Sequence, residues 1–309
     1  MRIYRDYRAV PATAKGASAP IGNFDGVHLG HQAVIDLARG AADAPLGILT
    51  FAPHPREYFA PDAPPFRLMS PAARANRLAK LGVDLLFELP FDADMAAHSP
   101  REFAQEVIAD GLGLSHVVVG RDFCFGQGRK GTADMLQGFG AEMGFDVTIS
   151  DLVSGGAGEI SSTAIRAALS RGAPREAAAM LGHWHRIEGQ IIKGFQRGRE
   201  LGYPTANINI DGLHPPRFGV YAVLAEVLNG PHAGQYTGAA SLGVRPMFDG
   251  EQANLETFLF DFSGDLYGAD ISVALVEYLR PEETFPSLEA FIAQMDADCD
   301  RARGVLAAL

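Results

Sequence analysis

Residues 22–31 read Gly-Asn-Phe-Asp-Gly-Val-His-Leu-Gly-His, and they are predicted to form a strand-to-helix turn in the N-terminal half. They follow a predicted strand that ends at Ile21 and precede residues 33–38, whose apolar positions recur at helical spacing. Ligands in open parallel sheets bind at such strand-to-helix turns, where free helix amides favour phosphate. His28 and His31 are three residues apart, so one face of the turn can present both imidazoles to one phosphate group. Donors in that position stabilise the charge that builds on an attacked phosphorus.

The first 180 residues alternate strand and helix signals. Apolar runs at 47–51, 83–87, 116–119 and 145–149 are predicted strands. Ser70 and Ser99 each precede a proline, and this pairing is typical of a helix start. Residues 51–66 contain five prolines without periodicity and are predicted to form a long loop. The alternation predicts a Rossmann-like α/β domain with a parallel sheet over residues 1–182.

The pattern changes after Gly182. Strand-like runs at 184–193, 220–228, 236–242, 255–262 and 271–279 are separated by turn residues without intervening helices. From Ser287 onward, apolar residues recur at helical spacing. These five runs, with an extended segment at 204–207, predict a six-stranded antiparallel β-barrel followed by a terminal helix over residues 183–309.

Composition narrows the function classes. The chain has 309 residues, is 47% hydrophobic, and carries a formal net charge of −11, which argues against general nucleic-acid binding. No apolar run is long enough to span a membrane, and the N-terminus does not resemble a signal peptide. The two cysteines, Cys124 and Cys299, fit a reducing cytoplasm better than a disulfide framework. Small-molecule partners are expected, with neither nucleic acid nor membrane, and a weak homo-oligomer is compatible with the chain.

The histidine pair has other interpretations. Two histidines at this spacing can be surface residues or half of a zinc site, although a zinc site needs further ligands and neither cysteine has suitable neighbours. Residues 160–166, Ile-Ser-Ser-Thr-Ala-Ile-Arg, read as a helix start with hydroxyls and an arginine, which suits a triphosphate or is simply a helix cap.

Residues 22–31 resemble the HxGH motif of nucleotidyltransferases, in the form found in bacterial bifunctional riboflavin kinase/FMN adenylyltransferases, the FAD synthetases. Residues 120–126, Gly-Arg-Asp-Phe-Cys-Phe-Gly, are similar to the flavin-side loop of that family, and residues 160–166 to its ATP-phosphate motif. The resemblance implies flavin contacts at Asp122, Phe123 and Phe125 and catalytic roles for His28, His31 and Arg166. The implied ATP contacts are Gly22, Asn23, Phe24, His28, Gly30, His31, Ser161, Ser162, Thr163 and Arg166.

His54, within a Pro-His-Pro segment that also matches the family, is as well explained by a structural role as by a substrate contact.

The second half contains a glycine-rich basic stretch, residues 193–202, followed by Pro-Thr-Ala-Asn at 204–207. In an extended strand Thr205 and Asn207 point to the same side, and their neutral oxygens suit magnesium beside ATP. The run resembles the PTAN motif of riboflavin kinases, which implies ATP contacts at Lys193, Gly194, Gly198, Arg199, Thr205 and Asn207. Thr205 and Asn207 are the implied Mg²⁺ ligands.

Glu256 lies in a segment that resembles the one carrying the family's catalytic glutamate, which would accept a proton from the ribityl hydroxyl of riboflavin. Met247 and Phe258 depart from the family, which often has threonine and histidine there. The resemblance predicts that ATP and riboflavin give FMN, and that ATP and FMN give FAD and pyrophosphate. The alternatives are a transferase with another phosphorylated acceptor, such as a cytidylyltransferase substrate, and a flavin-binding regulator without catalysis.

Overall fold

The computed structural model describes residues 1–40, 44–151, 154–155, 158–193, 203–247 and 250–309. The chain forms two compact units. The first unit comprises Met1–Pro64 and Arg74–Ile160, and the second comprises Pro65–Ala73 and Ser161–Leu309. Among the described residues, no helix has both the length and the apolarity needed to cross a bilayer.

The first unit is built on parallel strands with helices between them. Its strands are β1 (Arg2–Tyr4), β2 (Ser18–Pro20), β3 (Gly47–Ala52), β4 (Leu85–Pro90), β5 (His116–Gly120), β6 (Cys124–Phe125), β7 (Gly131–Thr132), β8 (Asp146–Ser150), β9 (Ser154–Gly155) and β10 (Gly158–Glu159). Its helices are α1 (Leu29–Arg39), α2 (Pro55–Phe59), α3 (Pro71–Lys80, which begins in the second unit), α4 (Ala93–Ala97), α5 (Pro100–Glu102) and α6 (Ala133–Met143). A π-helical stretch, Phe103–Leu112, continues α5, and single 3-10 turns cover Tyr7–Ala9, Ala12–Ala14 and Gln127–Arg129.

The parallel strands have the spatial order β1-β4-β3 and β2-β5-β8. Parallel backbone bridges Ser18–Leu46 and Ile21–Leu49 join the two groups, so that β2 lies between β3 and β5. Leu85, Leu86 and Phe87 of β4 are fully buried, as expected for a strand covered on both faces. The predicted parallel α/β domain is confirmed, and the strand predicted at 83–87 runs instead over Leu85–Pro90.

The loop prediction for residues 51–66 is partly wrong, because the stretch contains the short helix α2. Its N-terminal residue is Pro55, which suits a first helical position, and His54 supplies the cap. The His54 ring accepts the backbone N–H of Arg56, while the Glu57 carboxylate accepts the backbone N–H of His54. The sequence pattern missed this helix because it is short and is capped by a histidine rather than by serine, threonine or aspartate.

The second unit is an antiparallel near-barrel with helices. Its strands are β11 (Arg186–Gln190), β12 (Thr205–Asn209), β13 (Gly219–Val227), β14 (Gly234–Met247), β15 (Gly250–Leu259) and β16 (Asp270–Arg280). They have the order β11-β16-β13-β14-β15-β12, and a backbone bridge from Ile192 to Asn207 brings the two edge segments together. The helices are α7 (Ser162–Ser170), α8 (Pro174–Leu181) and α9 (Leu288–Ala307). The predicted six-stranded barrel and terminal helix are confirmed.

Strand β13 lies between two hydrophobic clusters, one in the barrel interior and one against the terminal helix. Its residues Tyr221, Val223 and Ala225 belong to the barrel interior. The alternate residues Val220 and Ala222 belong to a second cluster that includes helix residues of α9. Because side chains alternate across a strand, β13 is buried on both faces.

Candidate active sites

The loop at residues 22–27 leaves the centre of the parallel sheet. The amide of Ile21 donates to the carbonyl of Val118 in β5, and the amide of Gly22 donates to that of Leu49 in β3. The chain then turns through residues with positive φ, 52° at Phe24 and 88° at Gly26. The loop therefore lies at the carboxyl edge of the sheet with a strand on each side, where this class of fold binds ligands.

His28 is the N-cap of α1, and its side chain is part of the helix start. The backbone N–H of His31 donates to Nδ1 of His28 over 3.3 Å. Because Nδ1 accepts this bond, the neutral His28 ring carries its proton on Nε2. Gly30 leaves room for the ring, since a Cβ at that position would lie 3.2 Å from the His28 imidazole.

The two imidazoles stack on each other. Their ring centroids are 3.6 Å apart and the rings are inclined by 16°. Burial, and secondarily the neighbouring His28, holds the pKa of His31 well below its ordinary value. His31 is therefore neutral at pH 7.

A zinc site at this histidine pair would need a third ligand, and the described residues do not supply one. Within the described ranges, no three His, Cys, Asp or Glu side chains are arranged to hold a metal ion.

The segment after β5 contains the three residues predicted to contact a flavin. Asp122 is exposed and Phe123 is half-buried. The rings of Phe123 and Phe125 stack with centroids 5.5 Å apart, and Phe125 is buried against Phe103. Asp122 and Phe123 are thus open to a ligand, while Phe125 supports Phe123 from the core.

The predicted phosphate motif forms the start of α7, and by its contacts it belongs to the second unit. Ser161 caps the helix by accepting the amide of Ala164 over 3.2 Å, and Ser162 and Thr163 lie in the first turn. Nε of Arg166 donates to the carbonyl of Phe66, and its guanidinium lies over the Phe66 ring. The prediction of a helix start is confirmed.

The structure brings Thr205, Asn207 and Glu256 together. Asn207 lies opposite Glu256 on the paired strands β12 and β15. Nδ2 of Asn207 donates to Oγ1 of Thr205 over 3.3 Å, so both side chains lie on one face as expected. The Thr205 hydroxyl donates to Oε2 of Glu256 over 3.4 Å.

Asn254 is a neighbour of this cluster that the sequence analysis missed. Its Nδ2 donates to Oδ1 of Asn207 over 3.0 Å. The signal was its place two residues before Glu256, on the same face of a strand. Asn254 fixes the amide orientation of Asn207.

A cavity of about 410 Å³ opens beside the cluster. Its lining is Ile191, Pro204, Thr205, Ala206, Asn207, Thr257, Leu259, Phe262, Ser263, Gly264, Asp265, Leu266 and Tyr267. The ammonium of Lys193 lies 5.7 Å from the centroid of the Tyr267 ring at this end of the barrel. Gly194, Gly198 and Arg199 of the predicted phosphate-covering stretch lie outside the described residues.

The two departures from the family pattern lie in the same sheet. Phe258 is opposite Thr205, and its ring packs edge-on against Tyr203. The Tyr203 hydroxyl donates to Asp296 of α9, and this bond is the main cause that raises the pKa of Tyr203 to about 12. Met247 ends β14, opposite Gly250. Phe258 therefore takes part in an aromatic contact that holds the start of β12.

Comparison with known proteins finds a different family model for each half of the chain. A family model described as FAD synthetase matches residues 10–164, and one described as riboflavin kinase matches residues 181–306. The bifunctional riboflavin kinase/FMN adenylyltransferase of Pseudomonas fluorescens is 37% identical over 99% of this chain and 98% of its own length. That of Escherichia coli K12 is 38% identical over 93% of this chain and 92% of its own.

A solved structure covers the same length. It is described as a macrolide-efflux protein from Streptococcus pneumoniae, and it matches with a TM-score of 0.83 at 31% identity over 98% of both chains. The family models and the relatives agree with each other over nearly all residues of this chain. The chain therefore belongs to the bifunctional riboflavin kinase/FMN adenylyltransferase family and catalyses both reactions, from riboflavin to FMN and from FMN to FAD.

Proposed function

We propose that residues 1–182 adenylylate FMN and that residues 183–309 phosphorylate riboflavin. The observation that carries this division is the presence of two separate polar clusters. The stacked pair His28 and His31 lies at the carboxyl edge of the parallel sheet. The cluster around Asn207 and Glu256 lies in the barrel beside a cavity.

In the adenylyl transfer, a phosphate oxygen of FMN attacks the α-phosphorus of ATP, and the bond to pyrophosphate breaks. The attacking phosphate is already ionised, so the reaction needs positioning and charge stabilisation rather than a base. The ring N–H groups of His28 and His31 would donate to the α-phosphate oxygens. Because both rings are packed before ligand arrives, little reorganisation is needed at the moment of reaction.

The remaining contacts proposed for this site come from the family resemblance. Gly22, Asn23, Phe24 and Gly30 are the proposed nucleotide contacts of the loop, and because the Phe24 side chain is buried, its contact would be through the backbone. At the start of α7, Ser161, Ser162, Thr163 and Arg166 offer hydroxyls, helix amides and a guanidinium, and we propose that they bind phosphate groups of ATP. For the flavin, Asp122 offers an exposed carboxylate and Phe123 an accessible ring face, with Phe125 behind it.

In the kinase, Glu256 would accept the proton of the ribityl 5′-hydroxyl as that oxygen attacks the γ-phosphorus of ATP and ADP leaves. Lys193, with Gly194, Gly198 and Arg199, would cover the phosphates. Thr205 and Asn207 would hold Mg²⁺, and their neutral oxygens beside a carboxylate are the hard donors that this ion prefers. When bound, Mg²⁺ would neutralise phosphate charge.

The experiment uses the full-length protein with ATP and Mg²⁺, and it follows FMN and FAD by chromatography. With riboflavin as substrate, His28→Ala should accumulate FMN without FAD. Glu256→Gln should convert supplied FMN to FAD but leave riboflavin unchanged. Asp261→Asn is the control, because this exposed barrel carboxylate is outside both clusters and should leave both reactions intact. Loss of both reactions in either folded variant would contradict the division.

We also propose a cytoplasmic location and weak self-association. The free thiols of Cys124 and Cys299 support a reducing compartment, and burial raises the pKa of Cys299 to about 11, which keeps it protonated. Sedimentation at several protein concentrations tests self-association.

A further inference from the structure

A buried ion pair in the first unit contacts the loop at residues 22–27. Nη2 of Arg74 donates to Oε1 of Glu88 over 2.8 Å, and the two side chains are only 8% and 6% exposed. Arg74 belongs to α3 and Glu88 to β4. Neither residue lies in one of the sequence motifs described above. Buried charges are expensive unless paired and hydrogen-bonded, and here the pairing leaves donors of the guanidinium available for other acceptors.

The second donor arm of Arg74 is directed at the loop. Nη1 donates to the backbone carbonyl of Asn23 over 2.9 Å. The hydroxyl of Thr50, fully buried in β3, lies 3.3 Å from the same oxygen. One carbonyl of the loop thus accepts a charged and a neutral donor from two different elements.

The residues after this carbonyl need such support. Phe24 and Val27 have φ of 52° and 45°, a conformation that is unfavourable for residues with a side chain. Backbone of this kind persists when its surroundings fix it. The Phe24 ring packs on His31 with centroids 5.1 Å apart, so a shift at Asn23 reaches the histidine pair through one residue.

We propose that the Arg74–Glu88 pair is a positioning element for adenylyl transfer. Glu88 orients the guanidinium, Arg74 fixes the carbonyl of Asn23, and the fixed loop sets the geometry of His28 and His31. This inference rests on the proposed function of the histidine pair. The rate of riboflavin phosphorylation, which is proposed for the barrel, should not depend on the Arg74–Glu88 pair.

The test separates positioning from stability. Arg74→Met removes the buried partner of Glu88, leaves it only the ion pair with the exposed Arg5 within the described part of the chain, and should destabilise the first unit. The double variant Arg74→Met/Glu88→Leu removes both charges, and apolar replacement of a buried pair often restores stability. A role in stability alone predicts that FMN adenylylation recovers in the double variant. Positioning predicts that kcat stays about 10- to 100-fold down, the effect of one lost hydrogen bond to a charged group, while riboflavin phosphorylation is normal.

Arg5→Met is the matched control. Arg5 is 69% exposed and contacts Oε2 of Glu88, but it has no bond to the loop, so adenylylation should stay at the wild-type level. Arg74→Lys, which keeps the charge but not the planar fork, should recover adenylylation only in part. A thermally restored double variant with wild-type adenylylation kcat would overturn the proposal. If His28→Ala also retained FAD synthesis, the assignment of the histidine site itself would fail instead.

Discussion

The second unit should lose stability in mild acid through His185. This side chain is buried, and Nε2 is 3.0 Å from the carbonyl of Leu68. Nε2 therefore carries the proton of the neutral ring, and Nδ1 has no hydrogen-bond partner among the residues described. Burial lowers the pKa of His185 from 6.5 to about 4, against a smaller opposing effect of the Leu68 bond.

The sign follows from the order of the two pKa values. Above pH 6.5 the His185 ring is neutral in both the folded and the unfolded chain, and its protonation does not lower the free energy of unfolding. As the pH falls from 6.5 towards 4, His185 is protonated in the unfolded chain but stays neutral in the folded chain, and unfolding is favoured. The full difference corresponds to about 3 kcal/mol, of which about 2 kcal/mol is lost by pH 5.

Urea titrations of the full chain between pH 5 and 8 measure this loss. Trp184 is the single tryptophan of the sequence and directly precedes His185, so its fluorescence reports the second unit. His185→Gln, whose amide nitrogen replaces Nε2, should flatten the pH dependence by about 2 kcal/mol between pH 7.5 and 5. Ile187→Val, in the next buried position of β11, should cost about 1 kcal/mol at every pH. Equal pH slopes in wild type and His185→Gln would refute the reasoning.

Three further predictions address the sites and the barrel. Gly30→Ala should lower FMN adenylylation and spare riboflavin phosphorylation in coupled chromatographic assays, because its methyl group crowds the His28 ring; equal loss of both would contradict this. Asn254→Ala should raise the Mg²⁺ concentration needed for riboflavin phosphorylation, since Asn207 loses its orienting donor; an unchanged Mg²⁺ titration would count against it. Gly238→Ala should lower the urea midpoint of the Trp184 signal, because a Cβ there overlaps the carbonyl oxygen of Phe258 in the paired strand β15. An unaltered midpoint would show that the strands can separate without cost.

Local signals made much of the fold predictable. The caps at Ser99, Ser161 and Ser287 accept the amide three residues ahead, so their function depends only on nearby sequence. Thr205 and Asn207 could be placed on one face because strand geometry alternates side chains strictly.

What the sequence could not reveal depends on tertiary contact. Arg74 and the carbonyl of Asn23 are 51 residues apart, and an acceptor on the backbone leaves no trace in residue type. Phe125 matched a flavin motif, yet its burial against Phe103 depends on how the helix after Ser99 packs. The cap at His54 was missed because histidine rarely takes that role.

The closure of the barrel has a consequence for the mechanics of the kinase site. Strand β12 is joined to β15 by five residue pairs, but on its other side the described backbone shows a single bridge, from the amide of Ile192 to the carbonyl of Asn207. Strand β12, which carries Thr205 and Asn207, is thus paired along one edge and bridged at one point along the other in the described backbone. We expect a strand held in this way to tilt by small amounts while the rest of the barrel keeps its conformation. The hydrogen bond of the Ile192 amide would break when β12 tilts, so deuterium exchange at this amide measures the tilt. The exchange should slow when nucleotide fills the adjoining cavity.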